Sequence, residues 1–211
     1  MILPIFTSFL IFVALIRLAI RRGDDRKKAE DAEFFRREQE ANFVRKKSLD
    51  DLDYIRIPVD DLSFGAPAGN VAAQSAQDTI RRLSGEKIVN LTGISNTDLK
   101  LAYGTANITP LTQYDVNYME LARSLQKWGK ELFAERMYPE AAQVLRFAID
   151  TRTDISQSWH LYIDCVRMHL GLTEEESRAL LMPLIPVAKS LQALSRDSIL
   201  QELTEACSDP E

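Results

Sequence analysis

The sequence is poor in the residues that build disulfide frameworks and metal sites. It contains two cysteines and two histidines in 211 residues. The cysteines, Cys165 and Cys207, lack CxxC spacing and a second pair, which argues against a disulfide scaffold and a zinc knuckle. We therefore expect both thiols to stay reduced and to pack as small apolar side chains.

Motifs of the common enzyme classes are missing as well. The chain has no glycine-rich phosphate loop, no GxSxG or HExxH motif and no dinucleotide-binding fingerprint. Four residues of metal-binding type fall on one predicted helix, but their i,i+4 pairs point in different directions around it and do not converge on one ion. They are His160, Asp164, Cys165 and His169. The sequence thus predicts no metal, no cofactor and no enzymatic activity.

Charge is divided unevenly along the chain. Residues 1–47 hold 11 Lys/Arg and 7 Asp/Glu, a balance of +4, whereas residues 48–211 hold 15 and 24, a balance of −9. An acidic region of this size is repelled by the phosphate backbone of nucleic acids. We therefore expect no nucleic-acid partner.

A hydrophobic run opens the sequence. Residues 2–20 read ILPIFTSFLIFVALIRLAI, and as a helix they would span about 28 Å, close to the roughly 30 Å hydrocarbon core of a bilayer. No basic residue precedes this run, whereas Arg21, Arg22 and three more cations at 26–28 follow it. This order is unlike a cleavable signal peptide, and the positive-inside bias keeps the following chain in the cytoplasm. We predict a transmembrane anchor over residues 1–22 with its N-terminus outside; a signal peptide and a buried core helix are the alternatives.

Two segments follow the predicted anchor. Residues 23–50 mix charges of both signs with good helix formers, which predicts a solvated juxtamembrane helix. Residues 51–85 are predicted to form a linker, because the β-branched residues around Pro58 favour extended chain. From Gly65 onward the residues are small and polar, so we expect this part of the linker to be flexible.

Residues 86–208 predict an all-helical domain, followed by a tail at 209–211. Ser95 and Gly104 suit the start and the end of a short helix. Farther along, Thr173 and Glu176 have the spacing of a capping box that opens another helix. Apolar residues near the C-terminus predict a final helix that closes the stack; they are Leu191, Leu194, Ile199 and Leu203.

Two apolar stripes in the middle of this domain predict an antiparallel helical hairpin. In the first stripe, apolar residues recur at spacings of three and four along a long helix. They are Tyr114, Tyr118, Leu121, Leu125, Trp128 and Leu132. After a break at Pro139, a second stripe contains Ala141, Leu145 and Ala148, whose small side chains allow two helices to approach closely.

The hairpin resembles a tetratricopeptide repeat. Five residues match the family consensus of a large residue and glycine in the first helix, followed by an aromatic residue and alanines. They are Trp128, Gly129, Tyr138, Ala141 and Ala148, and the repeat covers residues 122–155. A second register begins at Ser156 and has Trp159 at the first aromatic position, but it departs from the consensus at Glu175, where alanine is expected.

The resemblance implies a groove for a protein partner, because the first helices of tetratricopeptide repeats line a concave surface that holds a peptide or helix. The groove-facing positions would be Arg123, Gln126, Lys130, Phe133, Gln157, His160, Asp164 and Arg167. Packing roles fall to Trp128, Gly129, Tyr138, Ala141, Ala148 and Trp159. The whole chain is also similar to small single-span membrane proteins of Gram-positive bacteria that carry a tetratricopeptide-like cytoplasmic tail.

The function expected from these features is that of a membrane-anchored adaptor. Residues 2–20 would contact the lipid bilayer, and the helical domain would bind an unidentified protein partner on the cytoplasmic side. The alternative is a structural role, in which the anchor and the juxtamembrane helix self-associate into a homo-oligomer and the helical domain is a spacer. An enzyme with an unrecognised site is a third class, for which the missing motifs give no support.

Overall fold

The computed structural model describes residues 3–208, with side chains for residues 16–18, 20–23 and 27–208. This part of the chain is all-helical, as the sequence predicts, and contains no strand. Its α-helices are α1 (Leu3–Asn42), α2 (Val71–Leu83), α3 (Asn96–Tyr103), α4 (Ile108–Ala134), α5 (Tyr138–Asp150), α6 (Ser156–Asp164), α7 (Glu174–Leu181), α8 (Leu184–Ser190) and α9 (Arg196–Cys207). A short 3₁₀ helix (Thr105–Asn107) precedes α4, and a π-helical segment (Cys165–His169) continues α6. The predicted tail at 209–211 lies outside the described residues.

The chain divides into two compact units. The first comprises residues 1–48 and 95–108, and the second comprises residues 49–94 and 109–211. Both tryptophans, Trp128 and Trp159, are completely buried within the second unit. All the predicted groove positions belong to that unit as well.

The first unit is built on α1, a single helix of 40 residues. The predicted juxtamembrane segment is helical as far as Asn42, where α1 ends, and residues 44–49 have no regular secondary structure. Most of the predicted anchor, residues 2–20, lies outside the described side chains. Among the residues that are described, no helix combines the length and the apolar character needed to cross a membrane.

Helix α3 packs against the C-terminal half of α1. The Glu38 carboxylate accepts a 2.6 Å hydrogen bond from the Thr97 hydroxyl and also pairs with the ammonium of Lys100. Hydrogen bonding to Lys100, followed by that to Thr97, lowers the pKa of Glu38. Charge and hydrogen bonds therefore join the two helices.

Both ends of α3 are capped where the sequence predicts. The Ser95 hydroxyl accepts a 3.1 Å hydrogen bond from the backbone N–H of Asp98. At the other end, Gly104 has a φ of +87°. A Cβ at this position would also lie 2.5 Å from the carbonyl oxygen of Arg45, so the dihedral and the close approach both require glycine.

In the second unit, α4 and α5 form the hairpin that the apolar stripes predict. The α4 stripe is buried from Tyr118 to Leu132, and Ala141, Leu145 and Ala148 of α5 are completely buried. The helices approach closely at Gly129, where a Cβ would lie 2.6 Å from Leu145 Cδ2. A glycine in α4 is thus what allows Leu145 to pack directly against the α4 backbone.

The predicted linker at 51–85 is wrong over residues 71–83, which form α2. Asn70 caps this helix, because its side-chain oxygen accepts a 3.0 Å hydrogen bond from the backbone N–H of Ala73. A stripe at spacings of three and four is buried in the domain core; it consists of Ala73, Ala76, Ile80 and Leu83. Two of its members are alanines, so the stripe carries little apolar area by itself, but alanine allows close helix packing. Residues 53–58 of the predicted linker have no regular secondary structure, and the Ile55 N–H donates to Ile88 O at 2.9 Å.

The C-terminal helices complete the core of the second unit. The predicted capping box is present, since Glu176 N–H donates to the Thr173 hydroxyl at 3.3 Å and Thr173 N–H donates to the Glu176 carboxylate at 2.8 Å. Ile199 and Leu203 of α9 are buried as expected. Leu194 is an exception and is fully exposed, because it lies in the turn before α9.

Candidate functional site

The predicted groove positions lie on neighbouring helices of the second unit. We call this region the α4–α6 surface; it consists of Arg123, Gln126, Lys130 and Phe133 of α4, Gln157, His160 and Asp164 of α6, and Arg167 of the π-helical segment. The two helices are joined by a hydrogen bond of 2.6 Å from Gln126 Nε2 to Gln157 Oε1. Arg123, Lys130, Gln157, His160 and Arg167 are exposed, and the other three are partly buried. One hydrogen bond thus joins the two helices directly and five of the eight residues are exposed, while their role in binding stays a prediction.

Two of these residues contact the last helix of the chain. His160 Nδ1 lies 2.5 Å from the Glu202 carboxylate, and the Arg167 guanidinium donates a 2.7 Å hydrogen bond to Ala206 O. Because both groups already have a partner on α9, they are less available to an external ligand. Helix α9 thus borders the α4–α6 surface on its α6 side.

The six predicted packing residues are located inside the domain or at its edge. Trp128, Ala141, Ala148 and Trp159 are completely buried, Gly129 is buried, and Tyr138 is partly buried. The buried indole of Trp159 donates a 2.9 Å hydrogen bond to Thr153 O. Its polar group is therefore satisfied, as the burial of an N–H donor requires.

An aromatic cluster occupies one end of the α4–α6 surface. The rings of Tyr138 and His169 are stacked with centroids 3.9 Å apart and an interplanar angle of 6°. Phe133 contacts both rings edge-on, at centroid distances of 5.2 Å and 5.5 Å. The sequence identified His169 only as a candidate metal ligand. Its stacking depends on the π-helical segment, whose wider turn cannot be inferred from residue spacing.

The four residues of metal-binding type on α6 and the π-helical segment contact different partners. His160 faces Glu202, His169 is stacked on Tyr138, and Cys165 is completely buried. Asp164 Oδ1 lies 3.9 Å from His169 Nε2, which is beyond hydrogen-bonding distance. Within the described residues, no three His, Cys, Asp or Glu side chains form a cluster able to hold a metal ion.

The side of α4 that faces α2 is defined by two carboxylates. Glu120 accepts a 2.5 Å hydrogen bond from Arg82, and Glu131 accepts a 2.9 Å hydrogen bond from the Asn70 side chain. The hydrogen bond to Glu120 raises the pKa of Arg82. Successive residues are about 100° apart around the axis of an α-helix. Around the α4 axis, Glu120 and Glu131 therefore lie roughly 60° to 80° from Arg123 in one direction, and Gln126 lies about 60° from Arg123 in the opposite direction.

Between these two edges, α4 presents an outward face to solvent. Its exposed residues recur at spacings of three and four, and they are Val116, Met119, Arg123, Lys127, Lys130 and Ala134. We call Arg123, Lys127 and Lys130 the basic stripe. Among the described residues, these three cations have no hydrogen-bond or ion-pair partner. The sequence prediction missed Lys127, although its spacing from Arg123 and Lys130 was visible.

A cleft of about 400 Å³ lies elsewhere in the second unit. It lies beside the C-terminal end of α5 and is lined by charges of both signs, including Arg56, Asp150 and Asp154. None of the predicted groove residues lines it. The Asn90 side chain donates to Thr151 O at 3.0 Å within this region, so the polar groups at the end of α5 are at least partly used in holding the fold together.

Comparison with known proteins gives no match to a family model, to a curated protein or to a solved structure. A helical fold alone does not determine what a protein does. The chemistry of the α4–α6 surface and of the outward face of α4 therefore indicates the function.

Proposed function

We propose that this chain is a membrane-anchored adaptor that binds a partner protein through the α4–α6 surface. The observation that carries the proposal is the outward face of α4, where cationic side chains are exposed to solvent and have no partner within the described part of the chain. The packing of the domain does not account for these side chains. Exposed residues with a regular spacing on a rigid helix are well suited to contact another protein, because a rigid scaffold lowers the entropy cost of binding.

Several packing features support a tetratricopeptide-like arrangement in this proposal. Gly129 lies directly against Leu145, and Ala141 and Ala148 are buried in the same hairpin. A single repeat cannot bury its apolar faces alone, and stacked neighbours are needed. Here α2 packs beside α4, and α6 with α9 packs on its other side.

Membrane attachment is the second part of the proposal. It is supported by the apolar run at residues 2–20 and by the cations that follow it, beginning with Arg21 and Arg22. In this arrangement the N-terminus is outside and the helical domain is cytoplasmic. Attachment would raise the local concentration of the bound partner at the membrane. Recovery of the full-length chain in the membrane fraction after alkaline carbonate washing is expected, and its release by that wash would contradict the anchor.

Photo-crosslinking in native membranes tests the adaptor proposal. A photoreactive amino acid would replace Lys130 or Gln157 on the α4–α6 surface, and Lys189 or Gln201 at exposed control positions on α8 and α9. We expect both surface positions to form an adduct with the same protein and the control positions to form none. Equal adducts at all four positions, or none at the surface positions, would contradict the assignment.

Self-association through α1 is a second candidate function, favoured by exposed aromatic residues in the first unit. Phe34, Phe35 and Phe43 are 56%, 64% and 86% exposed. Burying a phenylalanine side chain contributes roughly 1.5–3 kcal/mol, so a partner helix that covered these rings would be stabilised. A second copy of α1 is one such partner, since chains held in one membrane can place equivalent helices side by side.

The two candidates are separated by crosslinking of a deletion variant that ends at residue 94. If the oligomer persists without residues 95–211, self-association does not need the α4–α6 surface. Replacement of Phe34, Phe35 and Phe43 by serine in the full chain is then expected to abolish the oligomer. An oligomer that depends on the α4–α6 surface instead would exclude α1 as its origin.

A further inference from the structure

We propose that the partner segment bound at the basic stripe is acidic and amphipathic, with carboxylates that contact Arg123, Lys127 and Lys130 and apolar side chains that contact Val116 and Met119. This inference rests on the proposed function, because it names the chemistry of the segment that the α4–α6 surface binds. The proposed ligand is a segment of another protein. The experiment below distinguishes it from nucleic acids and lipid surfaces.

The cations of the stripe have no partner among the residues that the structure describes, because neighbouring carboxylates are paired elsewhere. On an isolated helix, Glu120 would be near Arg123 at i,i+3, and Glu131 would be near Lys127 at i,i+4. In the structure, Glu120 pairs with Arg82 at 2.5 Å and Glu131 accepts a hydrogen bond from Asn70 at 2.9 Å. Helix α2 therefore withdraws both acids from the outward face and leaves its positive charge uncompensated.

This local positive charge is unusual for its surroundings. Residues 48–211 carry 24 Asp/Glu and 15 Lys/Arg, so three adjacent unpaired cations contrast with the net charge of the region. Such a stripe attracts carboxylates at short range, whereas the acidic remainder repels long polyanions. A short acidic segment of a protein fits both conditions better than a nucleic acid or an anionic bilayer does.

Apolar contacts would fix the position and direction of the segment. Val116 and Met119 are 42% and 39% exposed, and both line a shallow depression that also includes Thr79 of α2 and Arg123. At 1.5 Å per residue, the distance along α4 from Val116 to Lys130 is about 21 Å, and the stripe occupies about the last 10 Å. A complementary segment therefore has apolar residues at one end and carboxylates over the next two helical turns.

Selection from a library tests the chemistry of the segment. Full-length protein in lipid nanodiscs would be used to select binders from displayed random twelve-residue peptides, and the affinities of the enriched peptides would be measured by fluorescence anisotropy. We expect enriched peptides to have net negative charge and at least two large apolar residues. Their affinity is expected to fall about 10-fold in the double variant Arg123→Gln and Lys130→Gln, as two exposed ion pairs allow, and to weaken from 50 to 300 mM salt.

A matched control keeps the change in net charge constant. The double variant Lys189→Gln and Arg196→Gln removes two exposed cations from α8 and α9, and its affinity for the same peptides is expected to equal that of the wild type. Enrichment of neutral or basic peptides, or equal affinity of both double variants, would overturn the proposal.

Two further probes distinguish other polyanions. They are a single-stranded oligonucleotide of twelve nucleotides, and vesicles of phosphatidylcholine with or without phosphatidylserine. If either the oligonucleotide or the anionic vesicles bind more tightly than the enriched peptides and lose binding in the Arg123→Gln, Lys130→Gln variant, the stripe is a phosphate site and the proposal fails. The photo-crosslinking experiment tests the adaptor proposal independently. If Lys130 forms adducts but peptide binding does not depend on charge, the adaptor proposal is retained and the proposal of an acidic partner segment fails.

Discussion

The indole Nε1 of Trp128 donates a 2.7 Å hydrogen bond to the carbonyl oxygen of Ala66, 62 residues earlier in the chain. The same carbonyl accepts a second bond, at 2.7 Å, from the side chain of Gln77, whose oxygen in turn accepts the Gly65 N–H at 2.6 Å. Phe64 packs on the Trp128 ring at 4.9 Å. The segment before α2 is therefore part of the domain core, and Trp128, the residue that suggested a repeat, is satisfied by a carbonyl outside that repeat.

Truncation of Ile80 tests whether α2 stabilises the second unit. Ile80 is completely buried, so Ile80→Ala is expected to lower the free energy of unfolding by about 2–5 kcal/mol through lost burial and the cavity left behind. Urea unfolding followed by tryptophan fluorescence measures this, since both tryptophans are buried in that unit. Val71→Ala is the control in the same helix, because Val71 is 78% exposed. Equal effects of the two substitutions would contradict the packing of α2.

The contact between α4 and α5 is tested by Gly129→Ala. The new Cβ would lie 2.6 Å from Leu145 Cδ2 and 2.7 Å from its Cγ. Because Leu145 is completely buried, relief of this contact requires neighbouring core side chains to shift. Overpacking costs about 1–3 kcal/mol, whereas alanine improves helix propensity by about 1 kcal/mol. We expect a net loss of up to about 2 kcal/mol in urea unfolding.

Gly85→Ala is the control for that substitution. Its Cβ would meet no atom closer than the Arg82 carbonyl oxygen at 4.0 Å, so the free energy of unfolding is expected to change by less than about 0.5 kcal/mol. If Gly129→Ala were as stable as Gly85→Ala, the two helices would not approach as closely as the structure shows.

Acid is expected to loosen α3 from α1 through Glu38. Because the pKa of Glu38 is lowered in the folded unit from its ordinary 4.5, its contribution is present above that value and is lost as pH falls through the lower folded pKa. Hydrogen exchange of the α3 amides, expressed as protection factors between pH 6 and pH 3, measures this loss.

Glu38→Gln is expected to lower protection at pH 6 and to reduce its dependence on acid. Some dependence should persist, because the pKa of Asp98 is also lowered, chiefly by its hydrogen bond with Ser95. Glu33→Gln, at an exposed position of α1, serves as the control. An unchanged acid profile in Glu38→Gln would show that Glu38 does not hold α3.

Thiol alkylation is expected to report unfolding of the second unit. Burial raises the pKa of Cys165 to about 12, so almost no reactive thiolate forms at pH 8 in the folded protein. In a Cys207→Ser variant, which leaves Cys165 as the sole cysteine, iodoacetamide labelling should be slow in buffer and fast in urea. Rapid labelling without denaturant would show that Cys165 is accessible in the native state.

Helix positions could be predicted wherever a local pattern was strong. The stripe from Tyr118 to Leu132, the capping box of Thr173 and Glu176 and the glycine at the end of α3 all act within a few residues of one another, and the structure has each of them. Helix α2 was missed because its stripe contains two alanines beside Ile80 and Leu83. Its apolar area alone does not separate such a helix from a flexible segment.

The candidate site could be predicted only in part, because it depends on local spacing and also on contacts between distant helices. The eight groove positions were identified from a register along the sequence; they lie on α4, α6 and the π-helical segment, and Gln126 donates a hydrogen bond to Gln157 between the two α-helices. The structure also shows that His160 and Arg167 are engaged by α9 and that Lys127 belongs to the exposed stripe. Contacts between helices that are distant in the sequence decide both points, and residue spacing does not encode them.

The sequence by itself determined most of the helical segments, α2 excepted, and which side of α4 is apolar, because amphipathic period and capping are local properties of the chain. Only the tertiary structure decided which polar side of α4 is left open. Asn70 and Glu131 are 61 residues apart, and Gln126 and Gln157 are 31 residues apart, yet these pairs set the two edges between which Arg123, Lys127 and Lys130 remain exposed. Packing by neighbouring helices thus determines which side chains of α4 remain exposed to solvent.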